Sequence, residues 1–176
     1  EAERLCGEEG VTALVVPVQS TIALPVTEAA ERLRVPVLVG LAAADEVTEQ
    51  GLAFTFRLCP KAEWYARDQV YFLRWAGGGS ASAIRSVALL HEDGAFGQAT
   101  AEAQKKYLTR MGIQVALEIT YPADQPDLHQ EVLAVKGSDA DAVLTATYVD
   151  DALLVADALN DARVVLPVVD AGGGFA

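Results

Sequence analysis

The chain is poor in the residue types that carry most metal and nucleophilic chemistry. Its 176 residues include two cysteines, Cys6 and Cys59, and two histidines, His91 and His129. The histidines lie far apart with no partner at helical spacing, and no CxxC pair exists, so a structural zinc site is not expected. GxGxxG, the Walker pattern and HExxH are all missing, and no cofactor is expected. Cys6 falls in helical sequence and Cys59 at a strand end, so two free thiols are expected rather than a disulfide. Basic charge is scarce as well. Thirteen Lys and Arg stand against 25 Asp and Glu, for a net charge of -12. None of the basic residues cluster, which argues against a nucleic-acid partner. No apolar run approaches the roughly 20 residues that span a bilayer. The opening EAERLCGEEG has neither a basic n-region nor an apolar h-region, so any export signal is expected outside this stretch.

What the chain has is apolar residues, 52% of the total, enough to bury the core of one or two globular units. Residues 13–40, ALVVPVQSTIALPVTEAAERLRVPVLVG, read as a strand (13–16), a polar turn, an amphipathic helix and a second strand (35–39). Both strand runs are continuous rather than alternating, which predicts parallel strands covered on both faces by helices. Gln19, Ser20 and Thr21 occupy the strand-to-helix loop. The hydroxyls of Ser20 and Thr21 can cap the helix, or its free N–H groups can face an anion, and the residues alone leave both readings open.

The same grammar continues downstream. Strands are expected at 54–58, 86–90, 113–120, 142–147 and 164–169, and helices at 62–75, 97–111, 127–135 and 150–159. Residues 41–50 are compatible with a further helix. The pattern is α/β throughout. Trp64, Tyr65, Tyr71, Phe72 and Trp75 fall at helical spacing and are expected to bury against a sheet. His91, Glu92 and Asp93 read as a solvated strand-to-helix loop, and Phe96 as a ring in the glycine-flanked loop beyond it. Asp150 and Asp151 stand where carboxylates complement a helix dipole. Residues 77–82, GGGSAS, read as a helix-to-strand loop, and Gly172 to Gly174 are not followed by a helix, so they form no phosphate loop. A domain boundary is expected at 58–62, where Pro60 blocks smooth continuation. The opening residues resemble a helix tail and the end is abrupt. The chain therefore reads as an internal piece of a larger two-lobed protein, with 1–59 in lobe one and 60–176 forming most of lobe two.

Three stretches carry a family resemblance in order and spacing: residues 1–40, then EVTEQGLAFTFRLCP, then SVALLHEDGAFGQATAEAQKKYLTRMGIQVALEITYPADQPDLHQEVLAVKGSDADAVL. They resemble the type I periplasmic binding proteins, in the branch for branched-chain amino acids and amides. The resemblance implies two doubly wound parallel-sheet lobes, lobe one being truncated at its N-terminus, that close on a small amino acid or carboxylic acid. It implies delivery to an ABC transporter permease, a periplasmic or extracellular location, free or lipid-anchored, and no enzymatic activity. The family's lobe-one serine matches Ser20, flanked by Gln19 and Thr21. Its next loop matches Ala42 and Ala43, where a threonine hydroxyl is missing. Its lobe-two aromatic matches Phe96 and its tyrosine Tyr148. The acidic residue for an ammonium group falls on Gly172, with Asp170 the nearest acid. Another acidic position is Ala62, and the glycine usual before Pro17 is Val16. A carboxylate ligand with an apolar or planar body is thus implied, and an amino acid only if Asp170 reaches its ammonium. The same module also serves as the ligand-sensing domain of receptors and cytoplasmic regulators, an alternative that stays open. An enzyme using Ser20 as nucleophile would need a histidine base that the surroundings of His91 and His129 do not suggest.

Overall fold

Parallel pairing joins every strand among the described residues. The computed structural model describes residues 1–16, 18–78 and 83–172, and the chain folds as two compact units, Glu1–Ala62 and Glu63–Ala176. Pro17, four residues of the 77–82 loop (79–82), and Gly173 and Gly174 lie outside the described residues.

The first unit runs α1 (Ala2–Gly7), β1 (Leu14–Val16), α2 (Ser20–Leu33), β2 (Val37–Val39), α3 (Glu46–Glu49) and β3 (Thr55–Arg57), with its strands in the order β1-β2-β3. α2 buries a stripe of small residues, Ser20, Ala23, Thr27, Ala29 and Ala30, while Val37, Val39 and Val47 are fully buried in the same unit. Pro25 lies inside α2 and has no N–H to give to the turn before it. The helix stops at Arg34, whose φ of 55° is left-handed and whose N–H bonds the carbonyls of Ala30 and Glu31. β2 begins at Val37 rather than at residue 35. Pro36 has no N–H for the ladder and contributes only its carbonyl, to Leu14 N at 2.8 Å.

Cover on both faces, expected from the continuous apolar runs, is not what the first unit shows. Val15, Leu38 and Phe56 are register partners across the three strands and are 77%, 37% and 55% exposed. Side chains alternate across a strand, so the run of valines and leucine puts half its members on each face whatever covers them. The helix expected over 41–50 is confined to Glu46–Glu49. The carbonyls of Ala42 and Ala44 accept from the Arg57 guanidinium at 2.9 and 2.6 Å, which holds this stretch as a loop.

The second unit contains α4 (Ala62–Ala76), which starts at the joint, then β4 (Ser86–Glu92), α5 (Ala95–Met111), β5 (Gln114–Tyr121), α6 (His129–Lys136), β6 (Ala142–Ala146), α7 (Val149–Asp161) and β7 (Val168–Asp170). The strand order is β5-β4-β6-β7. Here both faces are covered. Val87, Leu89 and Leu144 pack with Val70 and Leu73 of α4 and Tyr107 and Leu108 of α5. Ala88, Leu90 and Val143 point the other way, toward Val135 of α6 and Val155 of α7. α5 ends where Gly112 takes a φ of 67°, a conformation that costs glycine little.

Three expectations are corrected in this unit. The aromatic stripe of α4 faces outward: Trp64, Tyr71, Phe72 and Trp75 are 48%, 46%, 52% and 74% exposed, with Tyr65 half-buried. Ala62, Ala66, Val70 and Leu73 face inward together with Gln69. The Gln69 amide donates to the carbonyls of Thr145 and Val169 at 3.0 and 2.8 Å and accepts from Gln104 at 2.7 Å, which fixes the rotation of the helix. β4 runs on to Glu92, so His91 and Glu92 are buried in the sheet at 3% and 1% exposure rather than solvated. The strand expected at 164–169 is Val168–Asp170 instead, because Arg163 turns the chain with a φ of 53° and Val164 N bonds back to Leu159 O.

Candidate functional site

In the second unit the chain starts in β4, places β5 on one side of it and then crosses to β6 on the other, so the order of strands reverses between β4 and β6. In open parallel sheets a ligand crevice forms at that switch, outside the carboxyl ends of the strands. The segments leaving those two strands carry Phe96 and Tyr148. Their rings lie 5.5 Å apart between centroids, tilted by 48°. Phe96 belongs to the first turn of α5 rather than to a loop and is buried, whereas Tyr148 is the half-buried N-cap residue of α7.

Buried carboxylates support these two helix starts. Glu92 accepts from Gly97 N at 2.6 Å and from Gly94 N, and so caps the N-terminus of α5. A Cβ at Gly97 would overlap the Glu92 carbonyl oxygen, so only glycine lets the helix approach the strand this closely. Asp151 accepts from Tyr148 N at 3.4 Å and from the Tyr121 hydroxyl at 3.5 Å. Burial pushes the carboxyls of Glu92 and Asp151 above their ordinary range. The Tyr121 phenol is pushed well up by burial and by the neighbouring carboxylates. Asp151 thus serves the helix start as expected, while Asp150 is exposed beside it.

Asp170 ends β7, opposite Thr145 in the register. Its Oδ1 accepts from Thr145 Oγ1 at 2.8 Å, Thr147 Oγ1 at 2.8 Å and Thr147 N at 3.3 Å. Gly172 follows, and a Cβ there would overlap the Thr147 carbonyl oxygen. No residue with a side chain fits position 172 in this backbone, the place where the family resemblance puts an acid.

At the carboxyl end of the first unit's sheet, Ser20 is the first helical residue of α2 and Gln19 its N-cap. The Ser20 side chain is fully buried, and its Oγ accepts from Ala44 N at 3.1 Å instead of capping its own helix. The first intrahelical bonds run from Ile22 and Ala23 to Gln19 O, which leaves the N–H groups of Ser20 and Thr21 at the open end of α2. Gln19 and Thr21 are exposed there, while Ala42 and Ala43 are buried. Arg57 holds the Ala42–Ala44 loop by the two carbonyls already described and reaches Thr48 Oγ1 from Nε and Nη2 at 3.2 and 3.0 Å.

Phe96 and Tyr148 are thus brought together, as are Ser20, Ala42 and Ala43, each group within its own unit. Sequence reasoning missed Arg57, Glu92, Thr145 and Thr147. An arginine closing an apolar strand and threonines alternating in AVLTATY were the available signals. His91 Nδ1 lies 3.0 Å from the Glu92 carbonyl, which can only accept, and Nε2 meets Thr120 Oγ1 at 3.2 Å and Glu118 Oε1 at 3.5 Å.

Residues 1–174 match the family described as periplasmic binding protein. A Leu/Ile/Val-binding protein homolog from Brucella abortus is 30% identical over 99% of this chain and 44% of its own length. The chain therefore spans less than half the length of the curated relatives it matches. Among solved structures, a solute binding protein of an ABC transporter from R. palustris, in complex with 4-hydroxybenzoate, superposes with a TM-score of 0.86 at 19% identity, over 96% of this chain and 45% of that one. The branched-chain amino acid transporter substrate binding protein from Streptococcus pneumoniae, in complex with isoleucine, gives 0.78 at 17% identity, over 96% and 46%. At these identities the structural likeness speaks for the fold.

Proposed function

The chain belongs to the periplasmic binding protein family, and from that premise we propose that the intact protein is an extracytoplasmic solute-binding protein. It captures a small amino acid or carboxylate-containing ligand between its two lobes and passes it to an ABC-type permease in the membrane. It binds its ligand without transforming it.

The observation that carries this reading is the Phe96–Tyr148 ring pair at the β4/β6 switch of the second unit. An apolar or planar ligand body suits two such rings, which bury large area and prefer tilted contact. The open N-terminus of α2 supplies the complementary feature in the first unit, since its unpaired N–H groups and dipole favour a carboxylate. Thr21 adds an exposed hydroxyl there, and Ser20 holds the neighbouring loop to the same helix end.

A thermal-shift panel on the intact protein tests the proposal, with aliphatic amino acids, aromatic acids and short aliphatic acids. A ligand at 100 times its Kd stabilises the native state by about 2.7 kcal/mol, a readily measured shift. At least one carboxylate should raise the unfolding midpoint and narrow the particle in small-angle scattering. A panel without effect at millimolar concentration would remove the ligand class.

A further inference from the structure

We propose that Asp170 is a positioning residue of the ligand wall and not a ligand contact: it fixes Thr147, and through Thr147 the orientation of Tyr148 against Phe96. The inference rests on the ligand-binding reading above, which places Tyr148 in the wall.

One carboxylate oxygen, Oδ1 of Asp170, gathers the hydroxyls of Thr145 and Thr147 and the N–H of Thr147. Both threonines are fully buried, so these bonds form out of water, where each counts for more than it would at the surface. Thr147 is the residue directly before Tyr148. Its N–H and hydroxyl are tied to the same atom of β7, and Gly172 passes so close that a Cβ there would overlap the Thr147 carbonyl oxygen. From the other side of the sheet, Gln69 donates to the carbonyls of Thr145 and Val169, and Ala171 N bonds Thr145 O at 2.9 Å. The ends of β6 and β7 are stitched from both faces, and the Tyr148 backbone leaves this block with a single direction. A carboxylate oxygen already accepting from three donors is engaged in holding protein, which is the work of a positioning group.

The test uses the intact protein labelled with 3-fluorotyrosine, the Tyr148 resonance being assigned with Tyr148→Phe. Without ligand, Asp170→Ala and Thr147→Val should each shift or broaden that resonance. Asp170→Asn, which keeps an oxygen able to accept from both hydroxyls, should leave it near the wild-type position. Calorimetry with L-leucine, L-isoleucine and 4-hydroxybenzoate gives the second readout. For every probe that binds wild type, Asp170→Ala should weaken binding about tenfold or more, with or without an ammonium group, and Asp170→Asn less than about threefold. An unmoved Tyr148 resonance in folded Asp170→Ala overturns the inference. So does a loss confined to the two amino acids and equal for Asn and Ala, which would make Asp170 a direct ammonium partner. If Asp170→Ala does not fold, Thr147→Val decides by the same resonance. If neither these probes nor the thermal-shift panel shows binding to wild type, the ligand class fails while the fluorine spectra still decide the role of Asp170.

Discussion

Replacing Ser20 by alanine removes Oγ, the oxygen that accepts from the Ala44 amide. The bond is 3.1 Å long, Ser20 is fully buried and Ala44 is 1% exposed, so water does not replace the lost acceptor. Leaving a buried N–H unsatisfied costs about 1 to 3 kcal/mol, and the small void left by the hydroxyl adds to this rather than offsetting it. For a protein of this size or larger, each kcal/mol lowers Tm by roughly 2 to 4 °C. Two measurements on the intact protein read the effect. Urea unfolding should show a lower midpoint at unchanged slope, and hydrogen exchange at the Ala44 amide should speed up more than at neighbouring amides. Ser20→Cys, whose sulfur is a weaker acceptor, should fall between wild type and alanine. Carboxylate binding should weaken in parallel, because the loop loses its tie to the open end of α2. A Ser20→Ala protein with the wild-type midpoint and an equally protected Ala44 amide would refute the reasoning.

Gly97→Ala should destabilise by about 1 to 3 kcal/mol through overlap with the Glu92 carbonyl, seen as a lower urea midpoint; wild-type stability would mean the helix can lift from β4 at no cost. Arg57→Lys keeps the charge but not the fork that spans two carbonyls and Thr48, so exchange should accelerate across residues 42–48 by an amount matching about 1 to 3 kcal/mol, and unchanged protection would count against the fork. Glu92 and Asp151 have folded values raised by burial above the ordinary 4.5 and 3.8, so their protonated forms favour folding. That contribution is complete below the ordinary values and is lost as pH rises through the raised ones. Glu92→Gln should therefore gain stability relative to wild type between mildly acidic and neutral pH, and a difference constant with pH would contradict the assignment.

The α/β alternation was legible because continuous apolar runs such as AVLTA and amphipathic helices such as residues 20–33 leave local signatures. The ring pair was legible only through family resemblance, since nothing local tells Phe96 from a plug between helix and sheet. Other features were hidden because their partners are remote in sequence. Ser20 reads as a cap until Ala44 arrives from another loop, and Glu92 reads as solvated until Gly94 and Gly97 fold back over it. The aromatic stripe of α4 was misread because aromatic rings at helical spacing suggested the inward face. The amide of Gln69, which must meet two strand carbonyls, settled the rotation and left that face to alanine, valine and leucine.

The exposed row of Val15, Leu38 and Phe56 bears on how copies of this 176-residue chain behave in solution. An uncovered apolar face on a parallel sheet is adhesive, because such sheets are ordinarily buried on both sides. Opposing it is a net charge of -12, which keeps copies apart as long as their fields overlap. The two tendencies respond differently to salt. At 0.1 M the Debye length is about 10 Å, and it shrinks to about 3 Å at 1 M, whereas apolar contact is not weakened by screening. Colloidal stability of the isolated chain is therefore an electrostatic property, strongest in dilute buffer and surrendered as ionic strength rises.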